Sequence, residues 1–213
     1  MSRATSAWQI DPISGPPAST AAFLDKDGTL MEDIPYNSDP QKFVFAPGVV
    51  KGLRHLSQAG FRLVVISNQS GVARGIFPKV ALEPMEEKLR QMFESEGLKL
   101  DGVYWCPHHP EGNHPEWAVE CDCRKPAPGM ITKAATDLNI HLASSWMIGD
   151  RDSDIGAAKN AGCRGALLTS STQQCIEPRP DLVASTFFDI ALGIVAQSQI
   201  LTGHQNIKAT QNG

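Results

Sequence analysis

Short apolar runs alternate with amphipathic stretches along this chain, and each apolar run halts abruptly at small or charged residues. A parallel sheet covered by helices on both faces is the arrangement that buries both kinds of segment. Residues 21–24 form the first run and stop at Asp25-Lys26-Asp27-Gly28. Pro47 then marks a helix start, with Val50, Leu53 and Leu56 at helical spacing and Gly60 as the stop. Residues 61–66 (FRLVVI) read as a buried strand ending at Ser67-Asn68-Gln69. A second helix carries Leu82, Met85, Leu89, Met92 and Phe93 on one face, the methionines as core packing. Residues 103–105 are a short strand into Cys106, and Pro128 opens a helix bearing Ile131, Ala134, Ala135 and Leu138. Residues 146–148 run as a strand into Gly149-Asp150. A helix follows over 155–161, then a strand over 165–168 and a last amphipathic helix over 187–195. No internal repeat interrupts this order.

The polar residues that follow the apolar runs carry the functional signal. Asp25, Ser67 and Asp150 each come directly after a strand, and in a doubly wound sheet ligands bind at the carboxyl ends of the strands. Three separated segments therefore converge on one edge. Asp-x-Asp also begins a calcium loop, but that loop needs Gly at its sixth position and Glu at its twelfth. Leu30 and Tyr36 stand there, so the calcium reading fails. Taken singly, the residues have ordinary explanations: an Asp-rich turn at Asp25, a helix cap at Ser67, a surface charge at Lys125, a favourable helix-start charge at Asp154.

Charge and targeting signals narrow the partners. A formal net charge of -4 and a pI near 5.8 give no global field for nucleic acid or anionic membranes, so cations for an anionic substrate must be gathered locally. No run reaches the length of a membrane span, and the N-terminus lacks an apolar signal core, which points to the cytoplasm. The expected organisation is an N-terminal arm over 1–20, a catalytic domain over 21–197 and a polar, fraying tail over 198–213, the protein acting as a monomer.

Five cysteines in a chain without an export signal argue against a disulfide framework. Cys106-Pro107-His108 and Cys121-Asp122-Cys123 instead offer three sulfurs and an imidazole, the composition of a closed structural zinc site, with His109 and His114 as alternative ligands. Cys163 and Cys175 lie outside this loop and read as ordinary residues.

The segments DKDGTL from Asp25, SNQSG from Ser67, RKP from Arg124 and GDRDSD from Gly149 resemble the haloacid dehalogenase superfamily of phosphotransferases, in order and at the expected strand ends. The resemblance implies a doubly wound, Rossmann-like α/β sheet and a magnesium-dependent phosphatase. Asp25 is then the nucleophile that becomes an aspartyl-phosphate, and Asp27 the general acid and base. Ser67 and Lys125 clamp the transferring group. Mg²⁺ sits on Asp25, Asp150 and the main-chain carbonyl of Asp27, with Asp154 supporting that site.

CPHHP … CDCRKPAPGM is similar to the zinc-containing branch of the superfamily, which includes D-glycero-D-manno-heptose-1,7-bisphosphate 7-phosphatases and histidinol-phosphate phosphatases. Cys106, His108, Cys121 and Cys123 are the implied zinc ligands, in a loop spanning 106–123 that fixes Arg124 and Lys125. The long stretch between His108 and Cys121, and the run SNQSGVARG, favour the heptose enzymes of lipopolysaccharide precursor biosynthesis. The implied substrate contacts are Asp33, Tyr36, Ser67, Asn68, Gln69, Ser70, Arg124, Lys125 and Arg151. Asp33-Ile34-Pro35-Tyr36 departs from the family's usual His-Gly before the tyrosine, and Arg151 stands where Lys is common. No insertion after the first strand is long enough for a cap domain, so the fold is capless. A histidinol-phosphate phosphatase, an inert zinc-stabilised binding module and a polynucleotide end phosphatase are the competing readings. The presence of Asp25 and Asp27 counts against the inert module, and the acidic balance counts against the polynucleotide enzyme.

Overall fold

The computed structural model describes residues 18–171 and 177–210, with side chains described as far as 199. Six strands, β1 (Ala21–Leu24), β2 (Arg62–Asn68), β3 (Gly102–Cys106), β4 (Trp146–Gly149), β5 (Arg164–Leu168) and β6 (Leu182–Ala184), form one sheet in the order β3-β2-β1-β4-β5-β6. Every pairing is parallel. In register, Phe23 lies beside Val64 on one side and Met147 on the other. The chain thus winds outward in both directions from β1, and the switch point of the sheet falls at the carboxyl ends of β1 and β4.

Strand alternation divides the core between the two faces. Leu24, Val65 and Ile148 point to the face covered by α1 (Val49–Gln58), α2 (Leu82–Ser95) and α5 (Phe187–Thr210), where Leu53, Leu56, Leu89, Phe93 and Phe187 are buried. Phe23, Val64, Ile66 and Met147 point to the other face and meet α3 (Gly129–Leu138) and α4 (Asp152–Ala161) through Met130, Ile131, Ala157 and Ala158. Both faces of the central strands are dry, so β1 and the middle of β2, residues 63–66, are apolar at every position. Each such Phe or Leu contributes about 1.5–3 kcal/mol of burial. The α1–α5 crossing depends on Gly52, where a Cβ would lie 2.5 Å from the Phe187 ring.

Several boundaries differ from the sequence reading. Ser19, expected in a loose arm, is tied down, its N–H bonded to the Asn139 carbonyl at 3.0 Å and its carbonyl to the His141 N–H at 2.9 Å. Residues 1–17 and Cys175 lie outside the described residues. α1 begins at Val49, after Gly48 in the left-handed region, and α4 begins at Asp152 rather than 155. β6 has no counterpart in the sequence reading because it is a three-residue edge strand with Val183 exposed, too short for alternation to show. α5 runs on to Thr210, past the boundary drawn at 197. Among the described residues, no helix is long and apolar enough to cross a membrane.

Between β1 and α1 the chain forms a single 3-10 turn, Pro40–Lys42, and isolated bridges at Met31, so no cap domain is inserted there.

Candidate active site

The carboxyl ends of β1, β2 and β4 bring Asp25, Ser67 and Asp150 to one edge, as their sequence positions require. Lys125 arrives there from the loop before α3. Its Nζ donates to Asp25 Oδ1 at 2.5 Å and to the Ile66 carbonyl at 3.0 Å, and it pairs with Asp154 Oδ1 at 2.6 Å. All three side chains are buried. Burial lowers the Lys125 ammonium's affinity for its proton, but Asp154 and Asp25 outweigh it and hold the amine firmly charged. Burial pushes the Asp25 carboxyl up to about 7, Lys125 opposing and Asp154 and Asp150 adding. Asp150 is also raised, by burial and by Asp154.

One lysine is not enough for this group of carboxylates. Asp25, Asp150 and Asp154 each turn an oxygen toward the others, all within 4.8 Å. Asp154 is already committed: Oδ1 to Lys125 and Oδ2 to the Arg151 N–H at 3.1 Å. Asp25 and Asp150 retain free valence, and their raised affinities for protons mark a place where a hard cation with oxygen ligands is favoured. Gly28 adapts the backbone to this spot. It has φ +86°, and a Cβ there would sit 2.4 Å from Asp150 Oδ2, so only glycine lets the β1 loop pass the carboxylate.

Asp27 faces the same cavity with its carboxylate held at both oxygens. Lys26 Nζ bonds Oδ1, and Gln69 Nε2 donates to Oδ2 at 3.1 Å. Gln69 Nε2 also reaches Ser67 Oγ at 2.9 Å, so it links Asp27 to Ser67. Lys26 is fully buried and stacks over the Phe43 ring at 4.7 Å. In the sequence, Lys26 carries one signal only, its position between two acidic residues.

The cavity at this edge has a volume of about 340 Å³. Ser67, Asn68, Gln69 and Ser70 line it from the end of β2, and Asp33 and Tyr36 from the loop after β1. Arg124, Lys125 and Arg151 line it as well, so every expected substrate contact borders one space. Asn68 and Arg151 are among those already engaged. Asn68 spends both ends of its carboxamide on the Lys125 main chain. Arg151 pairs with Asp33 at 2.6 Å across the rim, and Asp150, Asp33 and Asp25 raise its affinity for a proton against the effect of burial. A larger, more apolar groove of about 960 Å³ flanks the sheet edge at β3, between α2 and α3, and none of the strand-end carboxylates lines it.

The loop between β3 and α3 gathers the second cluster. Cys123 Sγ lies 3.1 Å from Cys106 Sγ and 3.2 Å from Cys121 Sγ, and His108 Nδ1 lies 3.2 Å from Cys123 Sγ. Burial and the neighbouring sulfurs raise the Cys106 thiol; burial, with Cys121 adding and Cys106 opposing, pushes Cys123 up to about 11. Four donors this close form a ready metal cage, for tetrahedral zinc with ~2.3 Å bonds to sulfur needs donors ~3.8 Å apart. The two alternative histidines point elsewhere, His109 toward Arg74 and His114 toward the Glu116 N–H. Cys163 is buried away from the loop among residues packed on α4.

A Rossmann-like sheet with paired carboxylates after β1, a buried lysine and an aspartate after β4 defines a phosphatase of the haloacid dehalogenase class. The HAD-hydrolase-like family model matches residues 122–190. The D-glycero-beta-D-manno-heptose-1,7-bisphosphate 7-phosphatase of Escherichia coli (strain K12) is 39% identical over 183 residues, covering 84% of this chain and 95% of its own length. That of Haemophilus ducreyi is 41% identical over 174 residues, covering 80% and 95%. Among solved structures, a HAD-like phosphatase of Mesorhizobium loti superposes with a TM-score of 0.76 at 31% identity, covering 90% of this chain and 91% of the other. The D,D-heptose 1,7-bisphosphate phosphatase of B. bronchiseptica, complexed with magnesium and phosphate, gives 0.71 at 28% identity, covering 84% and 99%. The chain belongs to the D-glycero-beta-D-manno-heptose-1,7-bisphosphate 7-phosphatase family.

Proposed function

We propose that this protein is a cytoplasmic, magnesium-dependent enzyme that removes the C7 phosphate of D-glycero-D-manno-heptose 1,7-bisphosphate. The observation that carries the reading is the buried Asp25–Lys125–Asp154 ion-pair chain at the switch point of a family member's sheet. Asp25, Asp150 and the Asp27 carbonyl would hold magnesium, which would supply positive charge to the phosphoryl oxygens.

Asp25 attacks phosphorus, forming an acyl phosphate as the bond to the sugar oxygen breaks, and Asp27 gives the leaving oxygen its proton. Asp27 then takes a proton from water, which attacks the same phosphorus, releases phosphate and restores Asp25. Each Asp27 oxygen has a second lone-pair position, so it carries that proton while still accepting from Lys26 or Gln69. Ser67 and Lys125 steady the transferring group, Lys125 already charged and oriented before substrate arrives. Asp33, Tyr36, Gln69, Ser70, Arg124 and Arg151 recognise the rest of the sugar. Asn68 acts through Lys125.

Zinc is the metal that best suits the three sulfurs and imidazole of Cys106, His108, Cys121 and Cys123, in a structural role. The test is phosphate release from the heptose bisphosphate, histidinol phosphate and a 5′-phosphorylated oligonucleotide, with magnesium present. Preference for the bisphosphate supports the reading. Faster turnover of histidinol phosphate or the oligonucleotide overturns it.

A further inference from the structure

We infer that Arg74 and His109, together with Arg124, seat the phosphate group of the substrate that is not removed. The inference rests on the bisphosphate reading above. Arg74 comes from the loop between β2 and α2, which is fastened to the cysteine loop by main-chain bonds. Ala73 donates to the Pro107 carbonyl at 3.2 Å, and its own carbonyl accepts from Asn113 at 2.7 Å and His114 at 2.9 Å. This places the Arg74 guanidinium against His109, Nη2 to Nε2 at 3.1 Å.

The contact leaves donors unsatisfied. The Glu111 N–H points at His109 Nδ1 at 3.1 Å, so donors face both ring nitrogens. A neutral imidazole has one N–H and one lone pair, and it cannot accept at both. If Nδ1 accepts from Glu111, the proton sits on Nε2 and meets the Arg74 N–H head on. An oxygen acceptor beside Nε2 and Arg74 removes the conflict. Arg74 Nε is also buried with no hydrogen-bond partner among the described residues, which costs free energy until an acceptor reaches it.

That acceptor must carry charge. Among the described residues, no carboxylate pairs with Arg74 or Arg124 at ion-pair distance, whereas Arg151 is paired to Asp33 and Asp150. Arg124 spends Nη1 on the His108 carbonyl at 3.2 Å, which aims it along the same loop. Arg124 and Lys125 border both the catalytic cavity and a neighbouring one of about 500 Å³ lined by His109. Glu111 and Glu120 also line this second space, and both are exposed. A phosphate dianion on the arginine side satisfies the free donors and matches the two charges bidentately.

The test compares zinc-loaded wild type, Arg74→Ala, Arg74→Lys and His109→Gln on the heptose 1,7-bisphosphate and on p-nitrophenyl phosphate, which has no second phosphate. Arg74→Ala is expected to lower kcat/KM for the bisphosphate by about 10–100-fold, mostly through KM, and at least tenfold more than for p-nitrophenyl phosphate. Inhibition by the heptose 1-phosphate product should weaken in parallel. Arg74→Lys keeps the charge without the fork and carries the test if Arg74→Ala does not fold; it too must lose more on the bisphosphate. Equal losses on both substrates, or an unchanged kcat/KM for the bisphosphate, overturn the inference while leaving the enzyme's reaction intact. No wild-type turnover of the bisphosphate overturns the substrate reading and this inference with it.

Discussion

Asn68 holds Lys125 by both ends of its carboxamide, Oδ1 accepting from the Lys125 N–H and Nδ2 donating to the Lys125 carbonyl, each at 3.1 Å. The end of β2 thereby fixes the backbone of a residue 57 positions later, and the Lys125 ammonium lands on Asp25. Asn68→Ala leaves that N–H and carbonyl without partners. The expected result is a loss of about 1–3 kcal/mol in stability and a fall of about 10–100-fold in kcat with a smaller change in KM. Thermal unfolding and steady-state kinetics check this. Wild-type kcat in Asn68→Ala would remove Asn68 from the positioning of Lys125.

Asp25→Asn is expected to abolish turnover while leaving the fold intact, because the amide is neutral and a poor nucleophile. Asp27→Asn should be severely impaired on a sugar phosphate but less so on p-nitrophenyl phosphate, whose leaving group needs no proton. Far-ultraviolet circular dichroism verifies the fold, and phosphate release measures the rates. Substantial turnover by Asp25→Asn would sink the aspartyl-phosphate route.

The convergence of Asp25, Ser67 and Asp150 was legible from sequence because each residue directly follows an apolar run, and topology does the rest. What Asn68 and Gln69 grip was not legible. A polar residue at a strand end looks the same whether it faces a ligand, a neighbouring backbone as in Asn68, or two side chains as in Gln69. Lys26 escaped notice because lysine is almost always exposed, and only the fold puts it over Phe43 beside Asp27. The sequence put His108 first for the cysteine cluster, with His109 and His114 as alternatives, and the loop's path places His108 beside the three sulfurs. β6 is three residues long, too short for alternation to show, and it forms by pairing with β5 at the edge of a sheet already in place.

Metal analysis of the purified protein is expected to find about one zinc per chain. Cys121→Ser should lose it, melt earlier and turn over more slowly, because Arg124 and Lys125 follow the last ligand directly and metal binding supplies folding free energy to that loop. Magnesium is still required for activity. Absence of zinc, or full turnover with zinc alone, contradicts this division of roles.

The stability of the magnesium-free protein should fall with rising pH through Asp25. Its carboxyl moves from 3.8 to about 7 on folding, chiefly because burial disfavours the charged form. Between these values the folded chain holds a proton that the unfolded chain has lost, so stability is fullest below about pH 4 for this group. It falls as pH rises toward 7 and is level above that. The contribution is at most about 4 kcal/mol, since a tenfold difference in proton affinity is worth about 1.36 kcal/mol. Asp150, raised by burial and by Asp154, acts in the same direction. Magnesium reverses the trend, since it binds carboxylates and not carboxylic acids. Zinc-loaded protein dialysed free of magnesium should therefore lose Tm from about pH 5.5 to about 7.5, and the gain in Tm on adding magnesium should be larger at the higher pH. Asp25→Asn should flatten much of the first trend and shrink the second. A magnesium-induced change in Tm that is the same at both pH values would remove the Asp25 carboxylate from the metal site.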